Sequence, residues 1–192
     1  MRFIITSLLT TSLFFTAFGQ LSLGTDLLVL SPSSQEQTIY SEIEVNASIE
    51  VAWYKIAIEY VRIGDFHPDM DYSYANDKSL RHGLGAPRHC QVDDRRFVKD
   101  IITEWSPDQY TYSYEMYASE GLPWRSKRAD IGLVVRNGKT YLFHRLSYRY
   151  KISGLTGLKR KKMTRYNEAL LQAYSHYIEG SEVSYLPVRS TQ

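Results

Sequence analysis

The chain has 192 residues, 43% hydrophobic and 23% charged, with a formal net charge of +2. That length and balance suit a single globular domain with a sizeable core and exclude a disordered chain. So small a positive charge, without an RNA-binding, zinc-finger or basic-region pattern, argues against a nucleic-acid partner.

Residues 1–19 read as an export signal. Arg2 supplies a short positive start, the stretch to Phe18 is uncharged and apolar, and Ala17-Phe18-Gly19 places small residues at a cleavage site before Gln20. Cleavage there would make the protein periplasmic or secreted; the competing reading is a retained N-terminal membrane anchor. Against the anchor, Thr and Ser are frequent and Gly19-Gln20 interrupts the run, so a 20-residue span is poorly made. Residues 20–37 read as a linker, 38–180 as the domain and 181–192 as a tail.

Thr38–Val45 alternates apolar and polar residues and predicts a strand. Asn46 or Ser48 then caps a helix running to about Tyr60, with Ile49, Trp53, Ile56, Ala57 and Tyr60 on one face. Asn46-Ala47-Ser48 is formally a glycosylation sequon, but beside a helix start capping is the expected role. His67-Pro68 forces a loop, because a residue before proline leaves the helical region. Short strands are expected at Asp71–Asp77 and Ala86–Asp93, separated by the turn Arg81–Gly85. Arg95–Trp105 and Gln109–Ala118 form a hairpin about Ser106-Pro107-Asp108, with Tyr110, Tyr112, Tyr114 and Met116 on one face.

The best-specified element is the hairpin Ala129–Arg136, Asn137-Gly138, Lys139–Lys151. Asn-Gly suits a type I′ turn because both central positions need φ > 0, and a two-residue loop sets the register. Arg136 must face Lys139, Val135 Thr140, Leu133 Leu142, Ile131 His144 and Ala129 Leu146. Asp130 then lies opposite Arg145, a pair that belongs in water. The other face, with Ile131, Leu133, Val135, Leu142, His144, Leu146 and Tyr148, must point inward. The long C-terminal helix within Gly154–Gly180 carries Met163, Tyr166, Leu170, Ala173, Tyr174 and Tyr177 on one side. Lys161, Arg165, Glu168 and Gln172 lie opposite, and Gly180 is a stop.

This order, with three short stretches, resembles the helix-grip fold of the SRPBCC superfamily (START-like, Bet v 1-like), in its polyketide cyclase/dehydrase-like branch. The stretches are Val45-Asn46-Ala47-Ser48 with Val51-Ala52-Trp53, then Ile63-Gly64-Asp65-Phe66-His67-Pro68, and Gly83-Leu84-Gly85-Ala86-Pro87-Arg88. The cap lacks the proline that often follows alanine, and Pro87 implies an edge or bulge. The resemblance implies an α+β fold of β-αα-β6-α order: a seven-stranded antiparallel sheet wrapped around the C-terminal helix, with a hydrophobic cavity between them. Members bind lipids, polyketides and other apolar molecules, and some are cyclases. No universal catalytic set comes with the fold.

The expected function is therefore binding of a small hydrophobic or amphipathic ligand. The lining residues are Tyr112, Tyr114, Leu133, Leu142, His144, Tyr148, Met163, Tyr166 and Leu170, with His67 and Arg88 at the entrance. The alternatives are a cyclase- or aromatase-like enzyme using His144 as acid/base, with Tyr112, Tyr114 or Tyr148 as its partner, and an accessory protein with a filled cavity. Sixteen tyrosines, apolar with a polar tip, suit such a wall, although β propensity alone also favours them. His67, His82, His89, His144 and His176 show no metal-ligand spacing, so neither metal nor cofactor is expected. Cys90 is the sole cysteine, which excludes an intrachain disulfide and predicts an inert core thiol rather than a Cys/His dyad. Arg88, if buried, needs an acid of the protein or of a ligand. Lys159, Arg160, Lys161 and Lys162 are a solvated basic cluster or a contact with an anionic membrane surface, and they precede the first helical turn or meet an anion there.

Overall fold

The Asn137-Gly138 turn adopts φ of 53° and 76°, and the register it sets holds along the whole hairpin. Arg136 pairs with Lys139, Leu133 with Leu142, Ile131 with His144 and Ala129 with Leu146. The two strands are β6 (Trp124–Arg136) and β7 (Lys139–Tyr150). This computed structural model describes residues 35–75, 80–152 and 156–180. The expected signal and tail, and most of the expected linker, lie outside the described residues.

Around that hairpin stand β1 (Gln37–Val45), β2 (Tyr72–Tyr74), β3 (Pro87–Asp93), β4 (Arg96–Ser106) and β5 (Thr111–Glu120). All pairings are antiparallel, in the order β1-β7-β6-β5-β4-β3-β2. Pro87 pairs with Ile101 on β4, but β2 reaches only from Gln91 to His89. The missing proline N–H thus falls at an edge position, where no ladder bond is lost. Helix α2 (Thr156–Glu179) lies against β1 and β7 and closes one face of the sheet. No helix among the described residues is long and apolar enough to cross a membrane.

The first helix departs from expectation. Ser48, not Asn46, is the cap: its Oγ accepts from Val51 N–H at 3.4 Å, while Asn46 N–H donates to Glu179 on α2 at 3.0 Å. α1 (Ile49–Trp53) then widens into a π turn at Tyr54–Ile58, closed by Glu59 N–H donating to the Tyr54 carbonyl at 3.0 Å. A 3₁₀ turn follows at Tyr60–Asp65. The bend lets Ile56, Ala57, Tyr60, Val61 and Ile63 all be buried, which one straight helix of this length could not do.

Two further corrections concern the central hairpin. β6 begins at Trp124, five residues before the expected Ala129, so Lys127 shares the inward parity of Ala129 and Ile131. Val135 is 50% exposed rather than inward. β5 pairs with β6 only as far as Gly132, so Val135 sits at a projecting corner with no neighbouring strand on that side. Gly132 itself is required: a Cβ there would lie 2.8 Å from the Tyr110 carbonyl oxygen.

A candidate ligand site between sheet and helix

The residues expected to line the interior are brought together. Tyr112, Tyr114, Leu133, Leu142, His144, Tyr148, Met163 and Leu170 are buried on the inner face, and Tyr166 is half-buried beside them. Their neighbours are more polar than anticipated. Arg88 and His67, expected at the entrance, are instead buried there, as are Asp100, Lys127 and Asn167.

His144 is held at both ring nitrogens. Asn167 Nδ2 donates to the His144 carbonyl at 3.3 Å, which turns the amide so that its Oδ1 accepts from His144 Nδ1–H. His144 Nε2 is then the acceptor for the Tyr114 hydroxyl, 3.1 Å away. Burial brings the histidine pKa down to about 4 and pushes that of Tyr114 well up, so both are neutral near pH 7. The other expected partners point elsewhere. Tyr112 donates to the Ile56 carbonyl at 2.8 Å and Tyr148 to Gln37 at 2.9 Å. The arrangement is that of a core histidine in one locked tautomer.

Arg88 finds its acid in the protein. Its Nη2 is 3.0 Å from Asp100 Oδ2, both side chains being 1% exposed, and its Nη1 donates to the Tyr60 carbonyl at 3.0 Å. The guanidinium lies 4.0 Å from the Tyr60 ring centroid and 5.1 Å from that of Tyr114. Such a pair holds geometry more than it adds stability, because desolvating both ions offsets most of their attraction. Cys90 is fully buried, and burial pushes its thiol up to about 11, so the expected inert role stands over a nucleophilic one.

His67 is buried as well, 3% exposed, and lies against Tyr166 of α2 with ring centroids 5.4 Å apart. Its Nδ1 accepts from Asp69 N–H at 3.0 Å, which leaves the proton of the neutral ring on Nε2. Burial, with the charges of Lys127 and Arg88 behind it, brings its pKa down to about 3. Lys127 is 4% exposed; its ammonium stands 5.2, 5.6 and 6.0 Å from the ring centroids of Trp124, Tyr166 and Tyr114. Burial is also the main influence lowering its pKa.

Several polar atoms of this interior have no hydrogen-bond partner: Tyr60 Oη, His67 Nε2, Arg88 Nε, Trp124 Nε1 and Asp100 Oδ1. Two concavities among the described residues lie elsewhere. One of about 260 Å³ is on the outer face around Glu104, Arg128, Asp130 and Arg145, where Arg128 bridges Glu104, Glu115 and Asp130. Another, about 380 Å³, lies beside the Gly138 turn and Asn46. Asp130 and Arg145 thus face water 3.8 Å apart, as the pairing parity requires.

Among the described residues no group of three or more His, Cys, Asp and Glu side chains is placed to hold a metal. His176 is exposed on α2, and His89 and Cys90 point to opposite sides of β3, where His89 stacks between Tyr74 and Phe97. The basic cluster lies inside the first two turns of α2 rather than before them. Lys159 donates to the Ile152 carbonyl at 2.7 Å and covers the Tyr150 ring, while Arg160, Lys161 and Lys162 are exposed.

Lys127, Asp100 and Asn167 were missed in sequence reasoning, and two of them had a signal. Lys127 follows from the Asn-Gly register continued two residues past Ala129. Asn167 lies one helical turn after Met163, on the apolar side. Asp100 shares the inward parity of Val98 and Ile102, but Phe97 and Ile101 make the other side of β4 apolar as well, so alternation alone does not mark which side is inner.

No protein-family model matches the sequence, and no curated relative does. Solved structures do match. The crystal structure of Ara h 8.0201 aligns with a TM-score of 0.63 at 13% identity, over 77% of this chain and 100% of that one. The ZhuI aromatase/cyclase from Streptomyces sp. R1128 aligns with a TM-score of 0.63 at 12% identity, over 76% of this chain and 94% of that one. At such identities the likeness speaks for the fold alone, and it agrees with a seven-stranded antiparallel sheet and a C-terminal helix. The chain has the helix-grip, Bet v 1-like fold.

Proposed function

We propose that the protein binds a small amphipathic molecule between its sheet and α2. The observation that carries this reading is the gathering of buried, unpaired polar atoms on Tyr60, His67, Arg88 and Trp124 inside an otherwise apolar and aromatic interior. A buried polar group without a partner costs roughly 1–3 kcal/mol, so a core built only for stability would not collect them at one place. A guest with a few polar atoms on an apolar body satisfies both kinds of wall. The likeness to an aromatase/cyclase agrees with an apolar or aromatic guest. Catalysis at His144 is the weaker reading, because neither ring nitrogen is free to meet a substrate.

Native mass spectrometry of purified protein tests this directly. A co-purifying apolar molecule, or a rise in Tm with members of a lipid and polyketide panel, is the expected result. An empty protein whose Tm no member of the panel moves would instead support the filled-core reading. Exposed Ile152 and Leu158 flank the exposed basic residues of α2, a composition suited to collecting an apolar guest from an anionic lipid surface. Co-sedimentation with phosphatidylglycerol vesicles but not phosphatidylcholine vesicles would support that route, and equal or no sedimentation would exclude it.

A further inference from the structure

The interior holds two cations and one acid, and the surplus sits at one identifiable place. Arg88 is matched by Asp100. Lys127 has no carboxylate within 4.0 Å among the described residues, although it is 4% exposed. Around the same ring, that of Tyr166, stand the Lys127 ammonium at 5.6 Å, the His67 ring at 5.4 Å and the Trp124 ring at 6.3 Å. His67 and Trp124 each present an unpartnered buried nitrogen, and both are donors. The His67 Nδ1 bond to Asp69 N–H leaves the proton on Nε2, and an indole nitrogen can only donate. Three elements thus bring a buried lysine without an ion-pair partner among the described residues and two N–H groups to one spot: the loop after the 3₁₀ turn, the start of β6, and the third turn of α2. Donors repel donors, so the complement must accept hydrogen bonds and carry negative charge. One surplus cation calls for a single negative charge, because the second charge of a phosphate monoester would be left buried and unmatched.

We propose that the guest is a monocarboxylic acid with an apolar body, its carboxylate seated on Lys127, His67 and Trp124 and its body against the leucines and aromatic rings beyond. This rests on the binding reading above and names the class of molecule bound. A carboxylate has about four acceptor sites, enough for all three donors at once.

The test uses matched probes that differ only in the head group. These are decanoate against methyl decanoate, and 2-naphthoate against methyl 2-naphthoate, titrated calorimetrically into the full protein. The acid of at least one pair should bind about tenfold or more tighter than its ester, the usual worth of a buried charge-assisted hydrogen bond. Lys127→Met should bring that ratio to within about twofold by weakening the acid much more than the ester, because methionine keeps the aliphatic stem. Trp124→Phe retains a ring and removes only the N–H, so it should lower the ratio by about threefold to tenfold, and it decides the matter if the Met variant does not fold. Equal affinities for acid and ester in the wild-type protein would overturn the carboxylate seat while leaving a binding protein. Failure of both acid and ester to bind, in a protein that carries nothing on purification, would overturn the binding reading as well.

Discussion

Acid should unfold this protein well above the pH at which its carboxylates titrate, and the two buried histidines are the reason. His144 and His67 have folded-state pKa values brought down by burial to about 4 and about 3. In the unfolded chain each returns to about 6.5. Below that value the unfolded chain takes up protons that the folded one refuses, so stability is whole above about pH 6.5 and falls as pH drops towards the folded values. Between pH 7 and pH 5 each histidine accounts for about 2 kcal/mol, and the pair for about 4 kcal/mol. Urea unfolding at pH 7, 6 and 5, followed by tryptophan fluorescence, reads this loss as a falling midpoint at constant m-value. His67→Gln keeps an acceptor for Asp69 N–H and removes one titration, so its pH dependence over that window should be about half that of the wild type, whatever its absolute stability. A wild-type midpoint that moves by less than about 1 kcal/mol equivalent between pH 7 and pH 5 would refute the argument. It would mean that one or both rings are charged, or reach water, in the folded protein.

Arg88→Met strands the Asp100 carboxylate inside the core and should cost about 3–5 kcal/mol. The double variant Arg88→Met with Asp100→Leu should recover most of that, as measured by the same unfolding experiment. Asn167→Leu leaves His144 Nδ1–H without its acceptor and should cost about 1–3 kcal/mol. It should also free the ring to flip, visible as exchange broadening of the His144 side-chain resonances. Gly64→Ala would place a Cβ 2.3 Å from the backbone nitrogen of Ser73, so β2 must shift. About 2 kcal/mol is expected, with faster amide exchange in Tyr72–Tyr74 and little change at the central hairpin.

What the sequence made legible follows the strength of its local signals. A two-residue turn leaves no freedom of register, so every pair from Arg136–Lys139 to Ala129–Leu146 could be written down from residue order. With it came the inner face, and with the inner face His144. The long helix is equally plain, since 24 residues give a 3.6-residue period room to show itself. The interior's polarity was harder to see. A lysine at the head of a strand looks like a solvent boundary, and only the parity carried past Ala129 contradicts that. The aspartate that answers Arg88 is hidden because both sides of β4 carry apolar residues, Val98 and Ile102 on its own side and Phe97 and Ile101 on the other, so alternation does not sort the faces from sequence. The break of the first helix at Glu59 goes with contacts of Tyr60 on Tyr112 and Tyr114, which join two stretches of chain about fifty residues apart. Local propensity does not contain it.

The interior divides into two ends with different chemistry. Around α1, Trp53 meets Trp105 at 5.1 Å, Tyr110 at 5.9 Å and Tyr112 at 6.1 Å, and the Tyr112 hydroxyl is satisfied by the Ile56 carbonyl. That end is closed and needs nothing further. At the other end, His67, Lys127 and Trp124 surround Tyr166 with a cation that has no ion-pair partner and two N–H groups that have no acceptor among the described residues. A histidine can be neutralised within a core, as His144 is, by one acceptor and one donor. A lysine cannot be satisfied in the same way, because its three protons and its charge both need partners. If stability alone had shaped this interior, methionine at 127 would serve it better, being of similar length with no charge to desolvate. Lys127→Met should therefore raise the wild-type midpoint in urea by about 1–2 kcal/mol equivalent while abolishing preference for an acidic guest. Loss of stability together with unchanged ligand preference would make Lys127 a structural residue and move the search for the site away from this end of the fold.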